Sequence, residues 1–484
     1  MKLKDLLEKT EVTSIAADLG MQVHGLCYDT RRIKAGELFV AIKGYESDGH
    51  SFIGKAVTEG AVCVICEEPP DVAVPYVIVN DSRKTLAAVS AAWFGYPAAG
   101  LKLVGVTGTN GKTTVTTLIK QILEKCTGAK VGLIGTNVNM IGGTELQTER
   151  TTPESYDLHA LLAMMVREGC KYAVIEVSSH ALLMSRVHGI QFDVGVYTNL
   201  TPEHLDIHLT MDEYARIKSR LFASCRMAAV NIDDEYAPVM INAAQCPVMT
   251  YSLKTDAADL VGKNIKLHPE KVEFCALTIG ILTRAALKIP GMFSVYNALA
   301  AIAAVKLTGI DIECATVALE TCKGAKGRTE VVPTPLSDCT VLIDYAHTPD
   351  ALENIISAAR TFTKSRVITL FGCGGDRYKE KRPQMGAIAA KLSDYVIVTS
   401  DNPRTEAPCD IINDILEGMK DTRTPYSVIE NRGQAIYWAL ENTREGDVLL
   451  LAGKGHETYQ IVGKDKTKFD EREVVAGFFA RNRP

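Results

Sequence analysis

Between the apolar run Leu101-Lys-Leu-Val-Gly-Val106 and a helical pattern from Thr113 to Lys125 lies the segment Gly108-Thr109-Asn110-Gly111-Lys112-Thr113-Thr114. Strand, glycine-rich turn and helix, in that order, constrain this chain more than any other feature. Small residues let backbone N–H groups come close to phosphate oxygens, and the helix N-terminus adds a favourable dipole. Lys112 can reach terminal phosphates, and Thr113 offers a hydroxyl to magnesium. The general phosphate-loop pattern asks for glycine at 106; here Val106 stands there, with Gly105 one place earlier. The loop is therefore a variant. Further strands at Tyr172–Val177 and Val194–Thr198 follow helical stretches, and strand, crossover helix and strand again is the pattern of a parallel α/β sheet.

The chain has 484 residues, about three domains at roughly 150 residues each. Apolar residues make up 46% and charged residues 23%, which supplies several cores and excludes disorder as the main state. Lys and Arg number 53 against 58 Asp and Glu, a net charge of −5 that gives no footprint for general nucleic-acid binding. No apolar run is long enough for a membrane span. The start, Met1-Lys-Leu-Lys-Asp-Leu-Leu-Glu8, carries acids where a signal peptide needs its apolar stretch, so the cytoplasm is expected. Thirteen cysteines scattered singly read as free thiols in a reducing compartment. The close pair Cys63 and Cys66 lies in an expected strand, where residues three apart face opposite ways, which makes a poor chelator.

Three blocks follow from the pattern. The first, 1–98, alternates short strands (Leu38–Ile42, Ala61–Ile65, Tyr76–Val79) with helices, and Gly95-Tyr-Pro97 breaks the chain after the helix Arg83–Trp93. The second, 99–328, carries the phosphate loop and ends at the hinge candidate Lys323-Gly-Ala-Lys-Gly327. The third, 329–484, has strands at Thr340–Asp344, Arg366–Phe371, Tyr395–Val398 and Asp447–Leu451, each running into a polar loop. Ligands of open parallel sheets bind beyond the carboxyl ends of strands, so these loops stand where chemistry belongs. Glu176, closing a central strand, is placed to hold magnesium. His204 and His208 are four apart, but a zinc-protease pattern needs Glu after the first His and Leu205 is there instead. Lys218, taken alone, reads as a solvated lysine of a helix, and Asp401-Asn-Pro-Arg404, taken alone, as a surface turn.

The loop resembles that of the Mur ligase family, whose phosphate loop reads G-T-N-G-K-T/S-T/S. The resemblance implies an α/β fold of three domains, a central P-loop parallel-sheet ATPase domain among them and a C-terminal Rossmann-like α/β domain. It implies an ATP-dependent amide-forming ligase of cell-wall precursor synthesis that works through an acyl phosphate. It assigns ATP to Gly108, Thr109, Asn110, Gly111, Lys112, Thr113, Thr114, Asn297, Arg328, Asp344 and His347. Thr198-Asn-Leu-Thr-Pro-Glu-His204-Leu-Asp206 is similar to the family's N-x-x-x-D-H-L-D, and the catalytic set becomes Lys112, Glu176, His204 and Lys218. Two magnesium ions would be held by Thr113, Glu176, His204 and Lys218, the lysine carrying carbon dioxide as a carbamate (N6-carboxylysine). Gly291-Met-Phe-Ser294-Val-Tyr-Asn297, Gly327-Arg328-Thr-Glu330 and Asp344-Tyr-Ala-His347 match further family motifs in the right order, with Ser294 replacing an Asn.

Tyr28-Asp-Thr30-Arg-Arg32, Gly36-Glu-Leu-Phe-Val-Ala41 and Asp48-Gly-His50 are similar to the family's uridine-diphosphate end, with Tyr28 and Thr30 departing from the usual residues. A UDP-N-acetylmuramoyl dipeptide is thereby assigned to Thr30, Thr151, Thr152, Ser178 and Arg186, with Met184 where Gln is common. Asp401-Asn402-Pro403-Arg404 is the loop that in this family marks enzymes adding meso-diaminopimelate. Arg404 can grip a carboxylate bidentately; plain lysine would leave that cation unpaired, at a cost of roughly 2–5 kcal/mol. Gly453 and Glu457 would receive the far ammonium, and Arg377 the carboxylate nearer the reacting amine. The expected partners are these small molecules, with no nucleic acid and no membrane, and a monomer. Two other readings stay open here: a paralogue using another amino acid or carrier, and a nucleotide-binding protein without catalysis. A GTPase switch is disfavoured, since no Asn-Lys-x-Asp occurs.

Overall fold

A computed structural model describes residues 1–44, 47–203, 205–335, 339–363 and 365–481. The chain folds as two compact units, Met1–Asp259 with Ala300–Asp311, and Leu260–Leu299 with Ile312–Pro484. It is α/β throughout.

The first unit holds two sheets. One is built from β1 (Ser14–Ala16), β2 (Gly25–Cys27), β3 (Glu37–Val40), β4 (Cys63–Cys66) and β5 (Tyr76–Ile78), in the order β1-β5-β4-β3-β2. Only β1 is antiparallel to its neighbour. All four residues of β4 are buried, the mark of a strand covered on both faces. Cys63 and Ile65 join Leu86 and Val89 of the helix Ser82–Trp93 in one core, while Val64 and Cys66 join Ile53 and Ala56 in another. The two thiols therefore face opposite ways, and burial pushes them up to about 12 and about 11. Eleven of the thirteen cysteines are free thiols; Cys126 and Cys314 are not among them, which corrects the reading of thirteen free thiols.

The second sheet of this unit comprises β6 (Lys102–Thr107), β7 (Val131–Ile134), β8 (Asn139–Ile141), β9 (Thr144–Leu146), β10 (Tyr172–Glu176), β11 (Phe192–Tyr197), β12 (Cys225–Asn231) and β13 (Val248–Ser252). Their order is β13-β12-β11-β6-β10-β7-β8-β9, parallel from β13 to β7. The helix Lys112–Thr127 buries Val115, Leu118, Ile119, Ile122 and Leu123, a stripe at helical spacing. Gly105, the glycine one place early for a phosphate loop, has a packing reason: a Cβ there would lie 2.9 Å from the Phe192 ring.

The second unit carries an antiparallel meander, β14 (Leu260–Leu267), β15 (Val272–Thr278) and β16 (Ile281–Leu287), absent from the sequence reading. Its main sheet contains β17 (Glu330–Val332), β18 (Thr340–Asp344), β19 (Val367–Phe371), β20 (Tyr395–Val398), β21 (Tyr426–Val428) and β22 (Val448–Ala452). The order is β17-β18-β22-β19-β20-β21, and only β17 is antiparallel. A hairpin, β23 (Tyr459–Val462) with β24 (Asp465–Lys468), follows. Successive strand residues alternate between two cores. Leu342, Val367, Val396 and Leu450 pack with Ile356 and Met385; Ile343, Ile368, Ile397 and Leu449 pack with Ile436 and Val475. Helices on both faces make this a doubly wound layer. No described helix is long and apolar enough to cross a membrane.

Candidate functional site

The phosphate loop leaves β6 at the buried Thr107. Gly108 has φ +149°, and a Cβ there would sit 1.9 Å from Thr198 Oγ1, so no other residue fits. The loop is stitched to the segment after β11: Thr109 N donates to Asn199 O (2.8 Å), Asn110 N to Asn199 Oδ1 (3.0 Å), and Thr198 Oγ1 to Asn110 O (2.7 Å). Gly111 turns into the helix, whose first residues are Lys112, Thr113 and Thr114. Lys112 Nζ folds back onto Gly108 O (2.9 Å) and Thr109 O (2.8 Å). Thr113 Oγ1 donates to Glu176 Oε2 (3.0 Å). Glu176, 1% exposed at the end of β10, also accepts from Thr136 N (2.9 Å) and Thr136 Oγ1 (3.0 Å).

Lys218 is no solvated lysine. It lies on the helix Met211–Ser219, is 1% exposed, and donates through Nζ to Gly108 O at 2.8 Å, the carbonyl that Lys112 also uses. Its Nζ stands 4.5 Å from the Tyr214 ring centroid. Burial first, then the neighbouring Lys112, pushes the Lys218 ammonium well below the usual lysine range, against a smaller pull from Glu203. His208 is buried, with Nε2 2.9 Å from Ser179 Oγ and its ring stacked on Tyr214 at 4.7 Å. Sequence reasoning missed Ser179, which meets His208, and Tyr214, whose hydroxyl lies 3.4 Å from Thr109 Oγ1 in the loop. His204 lies outside the described residues. Among the described residues no three His, Cys, Asp or Glu side chains cluster as a metal site. What the loop does assemble is a hydroxyl, a carboxylate and a depressed lysine, a donor set that suits a hard cation sharing phosphate and water oxygens.

Next to Glu176 the chain builds a second station. Thr152 Oγ1 donates to Glu176 O (2.7 Å) and accepts from Ser178 N (3.1 Å); Thr151 Oγ1 accepts from Thr136 Oγ1 (3.0 Å). Arg186 Nη1 donates to Thr152 O (3.0 Å) and Arg186 Nε to Glu154 Oε1 (2.9 Å). Thr151, Thr152, Ser178 and Arg186 are thus brought together. Glu154, 5% exposed, also binds Arg150 at 2.8 Å and Arg83 at 3.4 Å. Glu154 and its further partners Arg150 and Arg83 were not read from the sequence. A cavity of about 1500 Å³ opens here, with Thr30, Arg32, His180, Met184 and Arg186 in its wall. Tyr28, whose hydroxyl binds Asp157, also faces it.

In the second unit, Asp344 closes β18 and accepts from Thr329 N (2.7 Å) and Ala346 N (2.9 Å). Burial pushes its carboxyl up, opposed by Arg328. Arg328 sits 4.9 Å from the Tyr345 ring, which also meets His347 at 4.5 Å and His456 at 4.9 Å. Arg328, Asp344 and His347 are therefore gathered around Tyr345, another residue sequence reasoning passed over. Burial lowers His456 to about 4. Asn297 is buried in the helix Met292–Leu307. Ser294 spends its hydroxyl on Pro290 O (2.8 Å), within the turn that starts that helix.

Three loops meet beyond β19, β20 and β22. Asp401, Asn402 and Pro403 are buried, so the segment is not a surface turn. Arg404 is held at φ +52° by Arg404 N to Ile461 O (3.1 Å) and Gly463 N to Arg404 O (2.7 Å). Its Nη1 donates to Gly375 O (2.7 Å). Asn402 Nδ2 donates to Glu457 Oε2 (2.8 Å). Gly453 N donates to Asp344 O (3.0 Å), joining this cluster to the end of β18. Arg377 is exposed, with Nη1 on Asp376 O (3.2 Å), and is not brought into the cluster.

Residues 22–94 match the Mur ligase family, catalytic domain; 106–305 the Mur ligase middle domain; and 327–455 the Mur ligase, glutamate ligase domain. The UDP-N-acetylmuramoyl-L-alanyl-D-glutamate--2,6-diaminopimelate ligase of Caldanaerobacter subterraneus subsp. tengcongensis is 46% identical, with 100% of both chains covered. That of Clostridium acetobutylicum, numbered 1, is 45% identical over 99% of both. A solved UDP-N-acetylmuramoyl-L-alanyl-D-glutamate--2,6-diaminopimelate ligase superposes with TM-score 0.74 at 29% identity, covering 100% of both. A MurF ligase from Thermotoga maritima in complex with ADP shares the fold at TM-score 0.60 and 18% identity, covering 95% of this chain and 99% of its own.

Proposed function

The chain belongs to the Mur ligase family, and from that premise we propose that it is the ATP-dependent ligase that joins meso-diaminopimelate to UDP-N-acetylmuramoyl-L-alanyl-D-glutamate in peptidoglycan precursor synthesis. The observation that carries the choice of amino acid is the buried Asp401–Asn402 turn, where Asn402 holds Glu457 and the adjoining Arg404 is held on Gly375 O. A guanidinium and a carboxylate so placed match an amino acid whose far end is itself a zwitterion.

The terminal carboxylate of the dipeptide attacks the γ-phosphorus of ATP, giving an acyl phosphate and ADP. The amine of diaminopimelate then attacks the acyl carbon; phosphate leaves and the amine loses a proton. Lys112, at the head of its helix, neutralises phosphate charge as the bond to ADP breaks. Its present contacts with Gly108 O and Thr109 O are ones that a phosphate would replace. Magnesium supplies further charge neutralisation when bound; Thr113, Glu176, His204 and Lys218 as its carbamate would hold it. Lowering the lysine favours its neutral, nucleophilic form, the form that takes up carbon dioxide. Thr30, Thr151, Thr152, Ser178 and Arg186 hold the UDP-linked dipeptide. Arg328, Asp344, His347 and Asn297 complete the nucleotide contacts, and Arg377 takes the near carboxylate. Residues 1–98, 99–328 and 329–484 act as the UDP-sugar, ATP and amino-acid domains of a cytoplasmic monomer.

The test is phosphate release by the purified chain with ATP, magnesium and the UDP-dipeptide, against a panel of amino acids scored by product mass. Release that needs both dipeptide and diaminopimelate, with the tripeptide product, is expected. Equal coupling of lysine, or nucleotide turnover without any product, overturns the reading.

A further inference from the structure

Among the residues around Asp401 and Glu457 stands a side chain that neither the motif reading nor the proposed chemistry uses. Lys454 is 0% exposed. Its Nζ lies 3.2 Å from Asp401 Oδ1, 3.2 Å from Asn402 Oδ1 and 3.4 Å from Glu457 Oε2. Asn402 Nδ2 reaches the same Glu457 Oε2 at 2.8 Å. Both donors therefore fall on one oxygen of Glu457, and Oε1 is the oxygen left to face a ligand. Asn402 is pinned in turn by Ile461 N to Asn402 Oδ1 (3.0 Å), so the lysine, the amide and the carboxylate form one connected network.

The charges decide what such a network can accept. Asp401 and Glu457 bring two carboxylates, Lys454 one ammonium and Arg404 one guanidinium. With Lys454 in place the cluster is balanced, and it offers one carboxylate oxygen and one guanidinium to the outside. That pair complements a zwitterion. Without Lys454 the surplus is negative, and a ligand carrying a cation alone is favoured. We propose that Lys454 is a specificity-determining positioning residue: by holding Glu457 and Asn402, it tunes the cluster for the far ammonium-and-carboxylate centre of the incoming amino acid and against plain lysine. The inference rests on the reading of diaminopimelate above.

The experiment compares wild type with Lys454→Met, Lys454→Arg, Glu457→Gln and the double variant Lys454→Met/Glu457→Gln, each checked for folding by circular dichroism. In Lys454→Met, KM for diaminopimelate rises roughly tenfold to a hundredfold, as for a lost hydrogen bond to a charged group. The diaminopimelate-to-lysine ratio of kcat/KM falls with it, while KM for ATP and for the UDP-dipeptide stays put. Lys454→Arg recovers part of the ratio. The double variant is no worse than the worse single one, because both act through the same carboxylate. Unchanged selectivity in Lys454→Met, or a fully additive double variant, overturns the inference. If Lys454→Met does not fold, Lys454→Arg decides: a ratio equal to wild type with Glu457→Gln still damaging overturns it, and a lowered ratio supports it. A wild-type chain that couples no diaminopimelate overturns the underlying reading instead; variants that keep wild-type selectivity sink only Lys454.

Discussion

Lys218 and Lys112 donate to the same carbonyl oxygen, Gly108 O, at 2.8 and 2.9 Å. Two ammonium charges that close in a buried site repel, which together with burial lowers the Lys218 ammonium. On the proposed reading, Lys218 then takes up carbon dioxide while Lys112 serves phosphate. Lys218→Ala is expected to lower kcat by at least about a hundredfold, a typical loss for a preorganised electrostatic contact, with partial recovery on adding formate or acetate. Full activity without such additives counts against the carbamate. Arg404 poses a separate residue-scale question. Its guanidinium is anchored through Nη1 to Gly375 O, which leaves donors for a ligand carboxylate. Arg404→Ala is expected to cost roughly 2–5 kcal/mol of diaminopimelate recognition and to bring lysine level with it in competition assays. A preference that survives the substitution removes Arg404 from the selectivity argument.

At the scale of elements, the phosphate loop was legible because its chemistry is local: a strand, seven residues and a helix lie next to each other in the chain. The Gly108 constraint adds what only the fold reveals, since the clashing atom, Thr198 Oγ1, arrives from the end of β11. Gly108→Ala should abolish ATP turnover while leaving the first sheet folded, read by phosphate release beside circular dichroism. The strands β14, β15 and β16 were not legible. Their burial alternates unevenly, with Lys263, Lys266 and Arg284 among the apolar residues, so no clean two-residue period shows. Burial of polar groups was equally hidden. His159, on the helix Ser155–Arg167, is 2% exposed, and burial lowers it to about 4. Its folded value lies below the ordinary 6.5, so the unfolded chain binds the proton more readily between those values. Its share of stability is complete above about pH 6.5 and is lost as pH falls toward 4, on the order of 3 kcal/mol at the end of that range. A melting temperature that drops across this window, less steeply in His159→Gln, is the expected result; identical slopes in both proteins reject the assignment.

For the molecule as a whole, the informative group is Glu154, because it ties together segments that are far apart in sequence. Arg83 comes from the helix beside the first sheet, Arg150 from the loop after β9, and Arg186 from beyond β10. Spacing alone pairs Arg150 with Glu154, four residues on, but not Arg83 or Arg186, which the packing of the first unit brings in. Three cations on one carboxylate leave a positive excess in the wall of a large cavity, which suits a doubly charged diphosphate and a peptide carboxylate. The same arrangement makes Glu154 structurally costly to lose. Its removal leaves the largely buried Arg83 and Arg186 without that anion, and breaking a buried ion pair typically costs about 3–5 kcal/mol. Glu154→Ala should therefore lower the melting temperature, and saturating UDP-dipeptide should restore more of the loss than it adds to wild type, because the ligand replaces the missing negative charge. If the ligand stabilises both proteins equally, the arginines around Glu154 hold the two sheets together and take no part in binding the nucleotide-linked peptide.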